Sequence, residues 1–130
     1  MKKMAAKKHS EIIDDIIEQL KPVFDLSEQS VYAYLDDANK LCNKNFAALL
    51  GYTSADEWAS VEGNFPTLFV ADNSQKTLIS SFQNAMEKGV GSKIQVDWKK
   101  KSGGTVKTNV IIVPVSVSGH LFALHFITKT

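Results

Sequence analysis

The feature that most constrains this chain lies in its last third, where two successive stretches are apolar at both even and odd positions. In residues 105–117, Val106, Val110 and Ile112 occupy one parity, and Ile111, Val113, Val115 and Val117 the other. Residues 121–128 repeat the pattern, with Phe122, Leu124 and Phe126 opposite Leu121, Ala123 and Ile127. Side chains alternate between the two faces of a strand, so a sheet wet on one side reads polar, apolar, polar. These stretches predict strands covered on both faces. A third strand, residues 93–99, alternates cleanly through Ile94, Val96 and Trp98, and Ser102-Gly103-Gly104 and Ser118-Gly119 mark the turns. Such short turns join neighbours, so the three form an antiparallel meander.

The elements that could cover it lie upstream. Ser10 reads as an N-cap, Glu11, Asp14 and Asp15 put negative charge in the first turns, and Ile12, Ile13, Ile16, Ile17 and Leu20 form one stripe. Pro22 is expected to stop this amphipathic helix, which is placed in residues 10–22 behind a mobile lysine-rich tail over residues 1–9. Residues 30–35 are rich in β-formers and precede an Asp-rich turn and the short Leu41-Cys42, a hairpin that completes a five-stranded sheet. Asn43 and Ser54 can cap short helices. After a loop at Gly63-Asn64-Phe65-Pro66, Asp72 or Asn73 opens the longest central helix, carrying Leu78, Ile79, Phe82, Ala85 and Met86 to its end at Lys88-Gly89. The expected class is therefore α+β: a five-stranded antiparallel sheet with the central helices on one face and the N-terminal helix on the other. That helix is too short to cover a whole face. A second copy is expected to complete it, the interface comprising Ile12, Ile13, Ile16, Ile17 and Leu20 with Ile111, Val113, Val115, Leu121, Ala123 and Ile127.

At 130 residues the chain suits one domain. A net charge of +1 supplies no field to draw nucleic acid. Apolar runs fall well short of the ~20 residues of a membrane span. The basic N-terminus has no apolar segment behind it, and the single Cys can form no internal disulfide. A cytoplasmic location is expected, with neither nucleic acid nor membrane as partner.

The run Asn43-Lys44-Asn45-Phe46-Ala47-Ala48-Leu49-Leu50-Gly51-Tyr52, preceded by a strand, an acidic turn and a short strand, resembles the N-terminal signature of PAS domains. Lys99-Lys100-Lys101-Ser102-Gly103-Gly104 is similar to the family's basic turn, with Ser102 in place of Asp, and Phe126-Ile127-Thr128 to its Asp-Ile-Thr ending, with Phe126 in place of Asp. The resemblance covers roughly residues 28 to 129, within a PAS-like domain placed over residues 28–130. It implies a sensory or interaction module with a small cavity between helices and sheet, and an N-terminal helix that mediates dimers. No catalytic segment follows the last strand, so the chain is expected to be a fragment of a longer receptor or to act on a signalling partner.

The family's cofactor chemistries find little support. Haem-binding members usually supply a His from the long central helix, and residues 72–88 hold none. Photosensory flavin members use a reactive Cys on the helices; Cys42 lies before the first of them, and a buried inert thiol is the simpler reading. Asn109 falls on the parity opposite Val110 and Ile112, away from the cavity. No cofactor and no metal are expected. His120 reads as a solvated turn residue, His125 as a satisfied sheet or interface residue on the face away from the central helices, and His9 carries no evident chemistry. Gly89-Val90-Gly91 lacks the third Gly of a dinucleotide loop, Asp36-Asp37 reads as a solvated turn, and Lys99-Lys100-Lys101 as a solvated hairpin tip.

What remains is the cavity. Phe46, Leu50, Trp58, Phe69, Ile79, Phe82, Val96, Trp98, Val110, Ile112, Phe122, Leu124 and Phe126 are expected to converge between helices and sheet, as a filled core or as the wall of a small apolar site with the Trp98 indole N–H as its donor. The alternative from another class is a cone-shaped α+β enzyme of the ketosteroid-isomerase and polyketide-cyclase type. It needs inward ionisable groups and no strand at residues 31–35.

Overall fold

The computed structural model describes residues 8–36 and 38–130. Most of the basic tail and Asp37, one half of the acidic pair, lie outside the described residues. The order is α1 (His9–Leu26), β1 (Ser30–Tyr34), β2 (Lys40–Cys42), α2 (Lys44–Leu49), α3 (Ala55–Ser60), α4 (Phe65–Phe69), α5 (Asp72–Lys88), β3 (Ser92–Lys99), β4 (Thr105–Val117) and β5 (His120–Lys129). The strands form one sheet in the order β2-β1-β5-β4-β3, every pair antiparallel. β1 rules out the cone-shaped enzyme fold, which opens with helices alone.

The sheet separates two apolar clusters. Its inner face packs against α2–α5 through Tyr32, Cys42, Val96, Trp98, Val106, Val110, Ile112, Ala123 and Ile127. Its outer face receives Ile13, Ile16, Leu20 and Phe24 of α1 onto Val31, Ala33, Leu35, Phe122 and Leu124. Each fully buried side chain of this size contributes about 1.5–3 kcal/mol relative to exposure. The outer cover stops part way across. By register, β3 turns Lys93 and Gln95 to that side and β4 adds Lys107 and Asn109. Asp97 and Lys99 share that parity but reach round the sheet edge to Asn73 and Thr67 of the helical lobe. The outer face is therefore apolar over β1, β5 and the distal half of β4, and polar beyond.

Pro22 does not end α1, which runs to Leu26. Proline removes one backbone hydrogen bond and crowds the preceding turn, but the added turn buries Phe24 one helical repeat after Leu20. Ser10 lies inside the helix, whose N-cap is Lys8. His9, rather than being idle, places Nε2 2.6 Å from Asp36 Oδ2 and ties the start of α1 to the β1–β2 turn. His120 Nε2 lies 2.8 Å from the Leu35 carbonyl oxygen, so it too is engaged. Asp36 Oδ1 accepts hydrogen bonds from Ala38 N and Asn39 Nδ2, both at 2.9 Å, an Asx turn.

The segment expected to be a loop before Leu68 folds instead as α4, with Asn64 Oδ1 accepting from Thr67 N at 3.1 Å and Pro66 in the first turn, where proline suits a helix. Gly89 ends α5 with φ +65°, and a Cβ at Gly91 would come 2.8 Å from the Ile112 carbonyl oxygen. Those two glycines thus serve a helix cap and a close strand approach. The basic β3–β4 tip is exposed but tethered: Lys101 N donates to Leu50 O at 2.8 Å, Lys101 Nζ to Glu57 Oε2 at 3.1 Å and Lys99 Nζ to Thr67 O at 2.9 Å.

Candidate functional site: an apolar cleft on the inner sheet face

The inner face is filled at one end and open at the other. At the filled end Phe46, Leu50, Trp58, Phe69, Val96, Trp98, Val110 and Ile112 are all buried. Phe46 meets Trp58 and Trp98 edge-on, each with ring centroids 5.3 Å apart. The Trp98 indole N–H, expected to face a ligand, instead donates to Thr108 Oγ1 at 2.9 Å, and Thr108 donates to Val96 O at 2.8 Å. These eight residues form a packed core.

The open end lies between β1, β5, α4 and α5, a cleft of about 210 Å³. Tyr32 and Tyr34, two apart on β1, give one part of the floor, and His125 of β5 the rest. Phe65 and Pro66 at the start of α4 form one wall. Leu78, Ile79, Phe82 and Gln83, at i, i+1, i+4 and i+5 on α5, form the other. Of the residues expected to line a cavity, the cleft brings together only Ile79 and Phe82. Tyr34 meets Phe65 at 5.4 Å and Phe82 at 5.3 Å, both edge-on. The lining contains no Asp, Glu, Lys or Arg.

His125 is the chemical centre of the cleft. It is 1% exposed and stacks on Tyr32 with centroids 4.0 Å apart and planes 11° from parallel. Its Nδ1 has no hydrogen-bond partner among the described residues. Burial drives its pKa down to about 3, hydrogen bonding with the backbone of Ala123 and Tyr32 offsetting only part, so the imidazole is neutral at neutral pH. Burial likewise pushes the Tyr32 phenol well above its ordinary value.

The register of β5 corrects the expected faces. Ile112 pairs with His125 and Val110 with Ile127, whereas Val113 pairs with Leu124 and Val115 with Phe122. Phe122 and Leu124 therefore belong to the outer cluster, with Phe126 packed against it, and not to the cavity. Ala123 and Ile127 belong to the inner cluster and cannot form an outer interface. Leu121 shares their parity and is exposed at the end of the hairpin. His125 faces the central helices rather than away from them. Bulk does not decide parity when both faces are apolar; the hairpin does. The two-residue turn Ser118-Gly119, both at positive φ, pairs Val117 with His120 and so aligns His125 with Ile112. That signal was present in the sequence.

The other candidates are placed as follows. Ile13, Ile16 and Leu20 are buried on the chain's own sheet, while Ile17 is 43% exposed and Ile111 46% exposed. Ile12, Val113 and Val115 are partly buried against the outer cluster. Cys42 is buried beside Tyr32 on the inner face, and burial pushes its thiol up to about 12. Asn109 pairs with Gln95 on the outer face. Among the described residues no group of three His, Cys, Asp or Glu could hold a metal ion, and no helix is long and apolar enough to cross a membrane. Lys40, expected in the acidic turn, opens β2. Its Nζ donates to Ala59 O at 3.1 Å and Val61 O at 2.6 Å and sits 5.2 Å from the Trp58 ring centre, sealing the far side of the core.

No protein-family model matches the chain, and no curated protein matches it in sequence. Its backbone does match solved structures. A PAS domain from Colwellia psychrerythraea superposes with a TM-score of 0.66 at 17% identity, covering 89% of this chain and 98% of that one. The Rhodobacter sphaeroides LOV protein gives 0.68 at 17% identity, over 87% of this chain and 66% of that one. The PAS domain of the fruit-fly ELK potassium channel gives 0.62 at 15% identity, over 87% and 95%. With its strand order, its helical lobe on the inner face and these superpositions, the chain has the PAS fold.

Proposed function

We propose that this chain is a PAS-type sensory and signal-transduction module, non-catalytic, whose input is a small, mostly apolar ligand in the cleft and whose output is a protein contact through α1. The cleft carries this reading: about 210 Å³ of uncharged, largely aromatic space between helices and sheet, more than the ~150 Å³ that admits benzene in an engineered protein cavity. A non-catalytic role is supported by the absence of any carboxylate or lysine from the lining.

Dimerisation is assigned to the apolar groups that the fold leaves outside. Ile17 is half-exposed, Val23 and Leu26 follow it on α1, with Leu26 82% exposed, and Ile111 stands uncovered on the outer sheet face. Ile13, Ile16 and Leu20 are already occupied, so they support the interface from beneath. A single buried thiol suits a cytoplasmic setting.

Native mass spectrometry of protein purified from cells, with an absorption spectrum, tests the proposal. A dimer carrying a low-mass non-covalent adduct is expected. A bare monomer at micromolar concentration contradicts both the ligand and the dimer.

A further inference from the structure

The ligand reading can be taken further, from size to chemical class. A buried polar atom without a partner costs on the order of 1–3 kcal/mol, and native proteins rarely tolerate one without a purpose. His125 Nδ1 is such an atom, and the residue lies on the floor of the largely apolar cleft. Packing alone does not call for an imidazole there. The ring stacks on Tyr32 and runs near-parallel to Phe82, 16° off with centroids 6.4 Å apart, contacts that phenylalanine would also make. What histidine adds to a floor shared with Tyr32 and Tyr34 is a buried ring nitrogen, Nδ1, that has no hydrogen-bond partner among the described residues. The absence of charged lining residues excludes an ionised ligand, whose desolvation nothing would offset.

Resting on the cleft as the ligand site, we propose that its natural occupant is a neutral molecule about the size of one substituted ring, bearing a hydroxyl or similar group that hydrogen-bonds to His125. A hydroxyl can donate or accept, so it satisfies either tautomer of the ring. The flat faces of Tyr34, Phe65 and Phe82 hold the apolar body, and Gln83, exposed at the rim, is the only other polar side chain offered besides the tyrosines.

Phenol, toluene and benzoate are suitable probes, titrated into the ¹⁵N-labelled full chain and into His125→Phe. Phenol and toluene are expected to shift the amide signals of Tyr32, Leu78 and Ile79, and benzoate to leave them in place. The ratio of phenol to toluene affinity should fall about ten-fold in the variant, the factor one hydrogen bond supplies; toluene's greater hydrophobicity cancels in that comparison. Imidazole ¹⁵N shifts of His125 in the unaltered protein provide a second readout, moving with phenol and not with toluene, should the variant fail to fold. An unchanged ratio, or ¹⁵N shifts indifferent to the hydroxyl, overturns the role of His125 and leaves the cleft a ligand site. Benzoate binding as well as phenol overturns the neutral class. Amide signals indifferent to every probe overturn the cleft itself.

Discussion

Asn43 shows how much one side chain can organise. It is 4% exposed, and its Oδ1 accepts from Val31 N at 3.1 Å and from Phe46 N at 3.0 Å, while its Nδ2 donates to Gln29 O at 2.8 Å. One amide thus caps α2 and closes the edge of β1. Asn43→Ala removes the cap and leaves a buried strand N–H unpaired, an expected loss of about 2–4 kcal/mol in urea unfolding. A loss under about 1 kcal/mol would mean that β1 is held by other contacts. His125 predicts a pH dependence of definite sign. The unfolded chain takes up its proton near the ordinary 6.5 and the folded chain only near 3. Its contribution is complete above pH 6.5 and declines as pH falls towards 3, with a limiting slope of about 1.4 kcal/mol per pH unit. Asp36 acts lower: burial raises its pKa, but hydrogen bonds involving His9, Ala38 and Asn39 outweigh it, so its share is lost only below the ordinary 3.8. Urea midpoints at pH 7, 6 and 5 should therefore fall in the unaltered protein and stay level in His125→Phe. Parallel lines would show that His125 titrates normally in the fold.

At the scale of elements, α1 has a buried face on the sheet and, on the proposed reading, an outward face for dimerisation. Ile16 is fully buried against the outer sheet face and Ile17 is half-exposed. Ile16→Ala should cost about 2–5 kcal/mol, the range for a large-to-small change in a core, whatever the oligomeric state. Ile17→Asp should leave monomer stability within about 0.5 kcal/mol, as for a surface change, and should shift sedimentation at micromolar concentration towards the monomer. Dissociation by Ile16→Ala but not by Ile17→Asp would place the interface elsewhere. The helix's existence was legible from its isoleucine stripe, but its length was not. A proline stops a helix only when nothing rewards the next turn, and Phe24, buried beyond Pro22, was isolated in the sequence from the stripe it extends.

For the whole molecule, the two-sided apolarity of β4 and β5 was enough to predict a sheet between two covers, and the outer and inner clusters are those covers. Hydrophobicity could not say which cover each residue of β5 meets. Phe122 and Leu124 look like cavity walls by size, yet they pack under α1, and the smaller Ala123 leaves room beside His125 on the inner face. The cleft was therefore illegible for a specific reason: it lies where side chains are absent, and its floor depends on a register that only the turn geometry encodes. The two faces of β5 are tested most directly by aromatic and methyl nuclear Overhauser contacts in solution. Phe122 and Leu124 should show contacts to the methyls of Ile13 and Ile16, and the His125 ring to Tyr32 and Phe82. Contacts from Phe122 or Leu124 to Trp58 or Trp98, with His125 against α1, would invert the strand and remove the cleft's floor.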